Sequence, residues 1–289
     1  MVEKGLDWLP NDVIGLAPTT MKWFEKDLVK IKTYNNVTGE ITLVEPLEFY
    51  HWGAAVSTAA DYSGIDMRGE VMLMSHNVKI VGDDTDSWGC QVVTSDFTEA
   101  NKEVRVGQTF IDNVEIYNCS QYDTWKAALR FQGTKLGYSR VSNSSIYSGL
   151  GMGLEVMYAA NVDIINNNFW EFLKYGINIV TSDNITLDGN WVMGVQWREV
   201  KAGTVGDPTA GIVGCGHIMS DECINLKIIN NVVGAVEQSG VDTTGYTVQH
   251  YQCGKPETNT FYDNIAHSIH GYGAIIFRNE SLEDHAKCI

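Results

Sequence analysis

An all-β chain wound as a right-handed parallel β-helix, with an antiparallel β segment ahead of it, is what this sequence predicts, and three observations carry the prediction. The first is a recurring phrase. Asn161-Val162-Asp163-Ile164 is followed six residues after its first Asn by Asn167, Asn184-Ile185-Thr186-Leu187 by Asn190 at the same offset, and Asn225-Leu226-Lys227-Ile228 by Asn231. The first two copies lie 23 residues apart and the third 41 further on, with earlier copies at Asn113-Val114-Glu115-Ile116 and Asn77-Val78-Lys79-Ile80. The second is alternation: Val162 and Ile164 point inward and Asp163 outward, the period of a strand with one buried face. So short a strand cannot bury its face alone, so copies must stack, and a step near 23 residues matches one coil of a solenoid. The third is composition. Gly is frequent at 28, Pro scarce at 5, and no long amphipathic helix is evident, which suits many short strands joined by tight turns.

Stacking also explains the asparagines. An Asn at a recurring turn can bond to the Asn above and below it, and it tolerates the left-handed backbone of a tight corner. Asn167, Asn190, Asn231 and Asn264 are therefore expected to form an internal ladder. Seven or eight coils would make a body roughly 35 to 40 Å long.

Residues 1–52 stand apart as the antiparallel segment. Residues 12–17, 28–31 and 40–44 read as strands split by turns at Asn35-Asn36 and Thr38-Gly39, capping the helix or leading into it. Residues 53–289 are assigned to the β-helix. A loop of small residues, 53–67, leads through Met67 to Met74 into the first Asn phrase. Strands at 88–93, 127–131, 153–156, 176–180 and 273–277 would make a second sheet, several opening with Gly for its freedom in φ. Insertions near 194–210 and 242–258 would emerge as loops.

The order of these phrases resembles the fibrocystin and fibrocystin-like family, which pairs a β domain named for eight glycines with parallel β-helix repeats. The resemblance is carried by Asp12-Val13-Ile14 after Trp8, GEITLVEPLEFYHWG (Gly39 to Gly53), IDMRGEVMLMSHNVKIVGDD (Ile65 to Asp84), WGCQVVTSDF (Trp88 to Phe97) and NIAHSIHGYGAIIF (Asn264 to Phe277). It implies that residues 1–52 are part of an eight-glycine-type domain and that the chain belongs to an ectodomain on a cell or ciliary surface. A sister branch degrades hyaluronan and carries a His-x-His pair on the strand after the Asn113-like phrase. Here that run is Tyr122-Asp123-Thr124-Trp125-Lys126-Ala127-Ala128-Leu129-Arg130-Phe131, without His. Leu129 and Phe131 cannot supply the acid, base or metal ligand that two imidazoles could.

A net charge of −16 argues against an electrostatic partnership with nucleic acid or an anionic membrane surface. No segment is apolar for the length a membrane span needs, so direct insertion of this stretch is not expected. The opening MVEKGLDWLP is not a signal peptide, and an uncapped end would expose strand edges, so the chain is expected to be an excerpt of a longer one. Six cysteines, Cys90, Cys119, Cys215, Cys223, Cys253 and Cys288, permit disulfides in any of fifteen pairings. Five Asn-x-Ser/Thr sequons, at Asn36, Asn118, Asn143, Asn184 and Asn279, point with them to a secreted, N-glycosylated protein.

Other candidates for chemistry have plainer readings. Asp83, Asp84 and Asp86 could hold calcium with backbone carbonyls, but such a run is more often a solvated turn. Asp123, Lys126 and Arg130, with Arg68, could share the face a polyuronate lyase needs; exterior residues alternating with buried Ala128 and Phe131 explain them as well. His267 and His270 fall on opposite sides of a strand unless a turn intervenes. Gly151-Met152-Gly153 and Gly271-Tyr272-Gly273 open no helix and so are not phosphate loops. Trp170, Trp191 and Trp197 could stack on sugars, or pack beneath loops. The expected role is a non-enzymatic structural or adhesion module of an extracellular or ciliary coat, without cofactor or catalytic residues. Its expected partners are other domains of the same longer chain, copies of itself and other surface glycoproteins. A polysaccharide-degrading enzyme is the alternative.

Overall fold

The computed structural model describes residues 1–53, 68–83, 85–122, 124, 126–197, 208–216, 223–237, 242–251 and 259–278. Each coil lays one strand on each of three parallel sheets. Face I stacks Val78–Val81, Val114–Tyr117, Ser145–Tyr147, Asn168–Leu173, Trp191–Gln196, Val232–Val236 and Ile265–Ile269. Face II stacks Val92–Thr94, Leu129–Gln132, Leu154–Met157, Tyr175–Val180, Thr209–Gly214, Thr243–Tyr251 and Tyr272–Arg278. Face III stacks Phe110–Asp112, Ser139–Ser142, Ala160–Ile165, Asp183–Asp188, Ile224–Ile229 and Asn259–Tyr262. Alternate residues of all three turn inward and form one continuous apolar column, among them Phe131, Val141, Leu154, Ile164, Phe169, Ile177, Leu187, Val192 and Ile228.

The phrases at Asn161, Asn184 and Asn225 lie on face III, in register, with Ile164 beside Leu187 and Leu187 beside Ile228. Those at Asn77 and Asn113 do not. Val78 pairs with Val114 on face I, one strand later in the coil. All three faces alternate apolar and polar residues, so four residues of phrase cannot say on which face they lie. Two insertions are also shorter than expected: Trp191–Gln196 completes its strand before the first, and Thr243–Tyr251 is a strand where a loop was expected from residue 242.

The corners are made differently from the sequence expectation. Gly153, Gly176 and Gly273, which open face II strands, do not adopt positive φ. They stack with Gly211 and Gly245 in one column, because Leu154 pairs with Ile177, Ala210 with Tyr175 and Thr244, and Tyr246 with Ala274. What they supply is room: a Cβ on Gly153 would lie 2.5 Å from the carbonyl of Gly176, and one on Gly176 would collide with the Val192 side chain. At the corner from face III to face I the left-handed residues are Asn113, Asn143, Asn166, Gly189, Asn230 and Asp263, with φ of 48 to 66°. Each stands just before face I.

The N-terminal segment is an antiparallel sheet in the order Glu40–Leu43, Asp27–Asn35, Val13–Leu16, Val71–Leu73. Its fourth strand comes from beyond residue 52, so the boundary drawn there cuts through the sheet. It does not cap an end of the helix but lies along the outer side of face I. Ala17, Met72 and Met74 bury against the outward-facing Tyr147, Trp170, Met193 and Val232. Trp170 is the centrepiece, only 1% exposed, and Gly15 passes so close that a Cβ would sit 2.9 Å from the indole. Further along, Lys26 reaches Glu171 at 2.8 Å and Ser268 donates to the carbonyl of Thr20 at 2.5 Å.

The glycine column gives a test. Gly176→Ala should cost about 1 to 3 kcal/mol in denaturant unfolding, from a methyl forced into a filled wall. Gly53→Ala, where no atom lies within 4 Å, should leave the midpoint unchanged.

Candidate functional site

The polar groups the sequence marks out gather at the corner between faces III and I. Asn167 donates from its backbone N and from Nδ2 to Oδ1 of Asn190, at 3.1 and 3.0 Å. Asn190 does the same to Asn231 at 2.9 and 3.0 Å, and Asn231 to Asn264 at 3.0 and 3.1 Å. The second Nδ2 hydrogen turns back to the coil before, from Asn167 to the Val141 carbonyl, Asn190 to Ile164, Asn231 to Leu187 and Asn264 to Ile228. Asn167, Asn190 and Asn231 are fully buried. Each is thus a four-point connector whose donors are all used, where an orphan amide would cost about 1 to 3 kcal/mol. Ser144 extends the column: its amide donates to Asn167 Oδ1 at 3.1 Å and its hydroxyl accepts from the amide of Val114. Sequence reasoning missed Ser144, although it stands one 23-residue step before Asn167.

A second ladder runs outside. Asn184 Nδ2 donates to Asn161 Oδ1, and Asn225 Nδ2 to Asn184 Oδ1, both at 2.7 Å and both exposed. All three have positive φ, 60, 53 and 57° for Asn161, Asn184 and Asn225. Of the sequons, Asn184 is in this ladder and Asn36 is exposed in a hairpin turn. Asn143 is exposed and donates to Asp112 at 2.8 Å, and Asn118 is half-buried beside a disulfide. Asn279 lies outside the described residues. Cys90–Cys119 ties the corners of two successive coils, where Ser120 also donates to the Cys90 carbonyl. Cys215–Cys223 bridges the stretch from face II to face III. Cys253 and Cys288 lie outside the described residues.

Two carboxylates are buried. Glu115, 4% exposed, sits where the antiparallel sheet meets face I. Burial raises its pKa, but Lys79 at 2.7 Å, the Tyr147 hydroxyl at 2.6 Å and the His76 amide at 3.0 Å outweigh that and hold it below the ordinary glutamate value. The same contact, after burial, pushes Tyr147 up, and burial pulls His76 down. Glu155 stands fully buried on the outward side of face II, between Arg130 and Asn178 in register. Arg130 Nε is 2.9 Å from its Oε2, off the N–H axis, so the contact is an ion pair rather than a linear hydrogen bond. Asn178 donates to Oε1 at 3.3 Å. Burial dominates here and the carboxyl is raised. No sequence signal beyond a lone acid in an apolar strand marked Glu155.

The remaining candidates disperse. Leu129 and Phe131 are core residues, 1% exposed, and Arg130 faces out. Lys126 lies over the Trp88 ring at 3.9 Å; Asp123 is outside the described residues, and Arg68 leads into Val71–Leu73 on the face I side. His267 Nε2 is 3.3 Å from Glu70, while His270 is exposed. Asp83 accepts from the amide and hydroxyl of Thr85 within one turn, and Asp84 is outside the described residues. Trp170 and Trp191 pack under the antiparallel sheet and Trp197 is half-buried. Among the described residues no cluster of three His, Cys, Asp or Glu could hold a metal.

The three-faced coil has a counterpart among known families: the sequence model of the right-handed β-helix region matches residues 56–192 and 89–284. The chain belongs to that family. Fibrocystin of Canis lupus familiaris is 24% identical over 272 residues, 94% of this chain, and fibrocystin of Mus musculus 25% over 273, again 94%. Fibrocystin-L of Homo sapiens is 23% identical over 281 residues, 91% of the chain. The chain spans about 6% of the length of each of these relatives. It is a fibrocystin-like, right-handed parallel β-helix.

Two tests follow from this β-helix. Asn190→Ala should cost about 3 kcal/mol or more, since it orphans donors on Asn167 and an acceptor on Ile164; Asn264→Ala, at the column's end, should cost roughly half as much. The two carboxylates should have opposite pH trends. Glu115, lowered, adds stability that is present above its unfolded pKa and lost as pH falls through its folded one. Glu155, raised, adds stability that is present below its unfolded pKa and lost as pH rises through its folded one. Unfolding free energies from about pH 3 to 8 should therefore show Glu115→Gln growing more destabilising with pH and Glu155→Gln less so.

Proposed function

We propose that this fibrocystin-like β-helix is a non-enzymatic architectural or adhesion rod in the glycosylated, extracellular part of a cell-surface or ciliary coat protein. The interior amide ladder carries the reading: it joins successive coils by paired hydrogen bonds through a buried core and so resists bending. The antiparallel sheet along face I adds a second brace, and two disulfides support an oxidising compartment. Copies of the same protein, its other domains and other surface glycoproteins are the partners such a rod would have.

A second reading, a hydrolase or lyase of acidic polysaccharides, is favoured by one observation: a buried carboxyl with a raised pKa beside an arginine is a general-acid arrangement. Incubation with hyaluronan and with polygalacturonate separates the two. The architectural reading expects no change in polymer size and no new reducing ends or unsaturated products. Turnover abolished by Glu155→Gln in a folded protein would overturn it.

A further inference from the structure

The exterior ladder differs from the interior one in what its amides leave over. Inside, both Nδ2 hydrogens of Asn167, Asn190 and Asn231 are used. At Asn184, which is exposed, Nδ2 donates to Asn161 and Oδ1 accepts from Asn225. These neighbours lie in the coils on either side, so the amide donates and accepts in opposite directions. The hydrogen donated is therefore the one trans to Oδ1, as in a chain of backbone amides, and the hydrogen cis to Oδ1 points away from the ladder. Of the three, Asn184 alone heads a sequon, Asn184-Ile185-Thr186; Asn161 is followed by Val-Asp and Asn225 by Leu-Lys.

We propose that Asn184 carries an N-linked glycan and that the exterior ladder is a mount that holds its first sugar in one orientation at the edge of face III. The proposal rests on the extracellular, glycosylated reading above. In the modification Nδ2 attacks C1 of an oligosaccharide borne on a lipid pyrophosphate. The C1–Nδ2 bond forms, the bond from C1 to the pyrophosphate oxygen breaks with its electron pair leaving on the pyrophosphate, and Nδ2 loses one proton. The product is a secondary amide, which prefers by about 2.5 kcal/mol to place C1 cis to the carbonyl oxygen. The hydrogen that remains is then the one trans to Oδ1, the hydrogen the ladder uses. Both ladder bonds survive, and the sugar projects where the spare hydrogen was.

The other described sequons lack this arrangement. Asn143 donates to a carboxylate, Asp112, that also accepts from Ser142 at 2.7 Å. Asn118 is half-buried, and Asn36 is in a hairpin turn with no coil on either side.

The test expresses the whole chain in a cell line that adds N-glycans, with 15N-labelled asparagine, and trims each glycan to a single N-acetylglucosamine. Glycopeptide mass spectrometry reads occupancy at Asn184, and NMR reads exchange of its remaining Nδ2 hydrogen. Asn161→Gly removes the acceptor while suiting the positive φ at that position; Asn161→Asp keeps an acceptor. The proposal expects occupancy in all three proteins, exchange about fivefold faster in Asn161→Gly than in the parent, and slow exchange restored in Asn161→Asp. An unmodified Asn184 in the secreted, folded chain overturns glycosylation at this site. Full occupancy with equal exchange in parent and Asn161→Gly overturns the mount and leaves the glycosylated reading standing.

Discussion

A buried corner must satisfy its own backbone, and that constraint governs this molecule. Where face III turns into face I, peptide groups enter a core that offers them no water, and each would cost free energy if left unpaired. Asn solves the problem at one position: its amide returns one hydrogen to the carbonyl of the preceding coil and gives the other, with its backbone N–H, to the next Asn. The solution works only if the next coil brings another Asn to the same height. Corner chemistry thus fixes the register of the coils from Ser144 to Asn264, and the alternating apolar residues follow it into the core. Insertions are tolerated because the ladder needs only that its members meet; successive steps of 23, 41 and 33 residues all do so.

The stacked corner was the most legible part of the sequence, since the offset from phrase to Asn is a local property that survives insertions. The face on which a phrase lies was not. Asn113-Val114-Glu115-Ile116 looks like Asn161-Val162-Asp163-Ile164, yet Asn113 is the left-handed residue before a face I strand and Asn161 a left-handed residue at the start of a face III strand, one in from its first residue. Both positions need positive φ and both precede alternation, so one residue type serves two corners. The glycines of face II misled for a related reason: Gly is compatible with a left-handed corner and with a crowded one, and only the packing of Val192 and Val233 against the column tells them apart.

Lateral packing of the antiparallel sheet was beyond sequence reasoning because its signal is split between distant elements. Outward residues of face I, Tyr147, Trp170 and Met193, are large and apolar where a solvated face would be polar, and the one of them the sequence marked out, Trp170, was readable as a packing or a sugar-stacking residue. Glu115 was equally hidden. Its carboxylate is tolerated because a lysine, a tyrosine hydroxyl and a backbone amide converge on it from both sides of the contact. The same sheet leaves face III open, and it is on that face that the exterior amides and the exposed sequon at Asn184 stand, with the exposed Asn143 at the corner beyond its strand.

The claim on which this account depends is that the interior amides bind the coils into one cooperative unit. Native-state hydrogen exchange of the backbone amides of Asn167, Asn190 and Asn231 tests it most directly. If the claim holds, all three exchange only by global unfolding, with one common opening free energy equal to that from denaturant melts. Opening free energies that differ from coil to coil, or fall well below the global value, would contradict it.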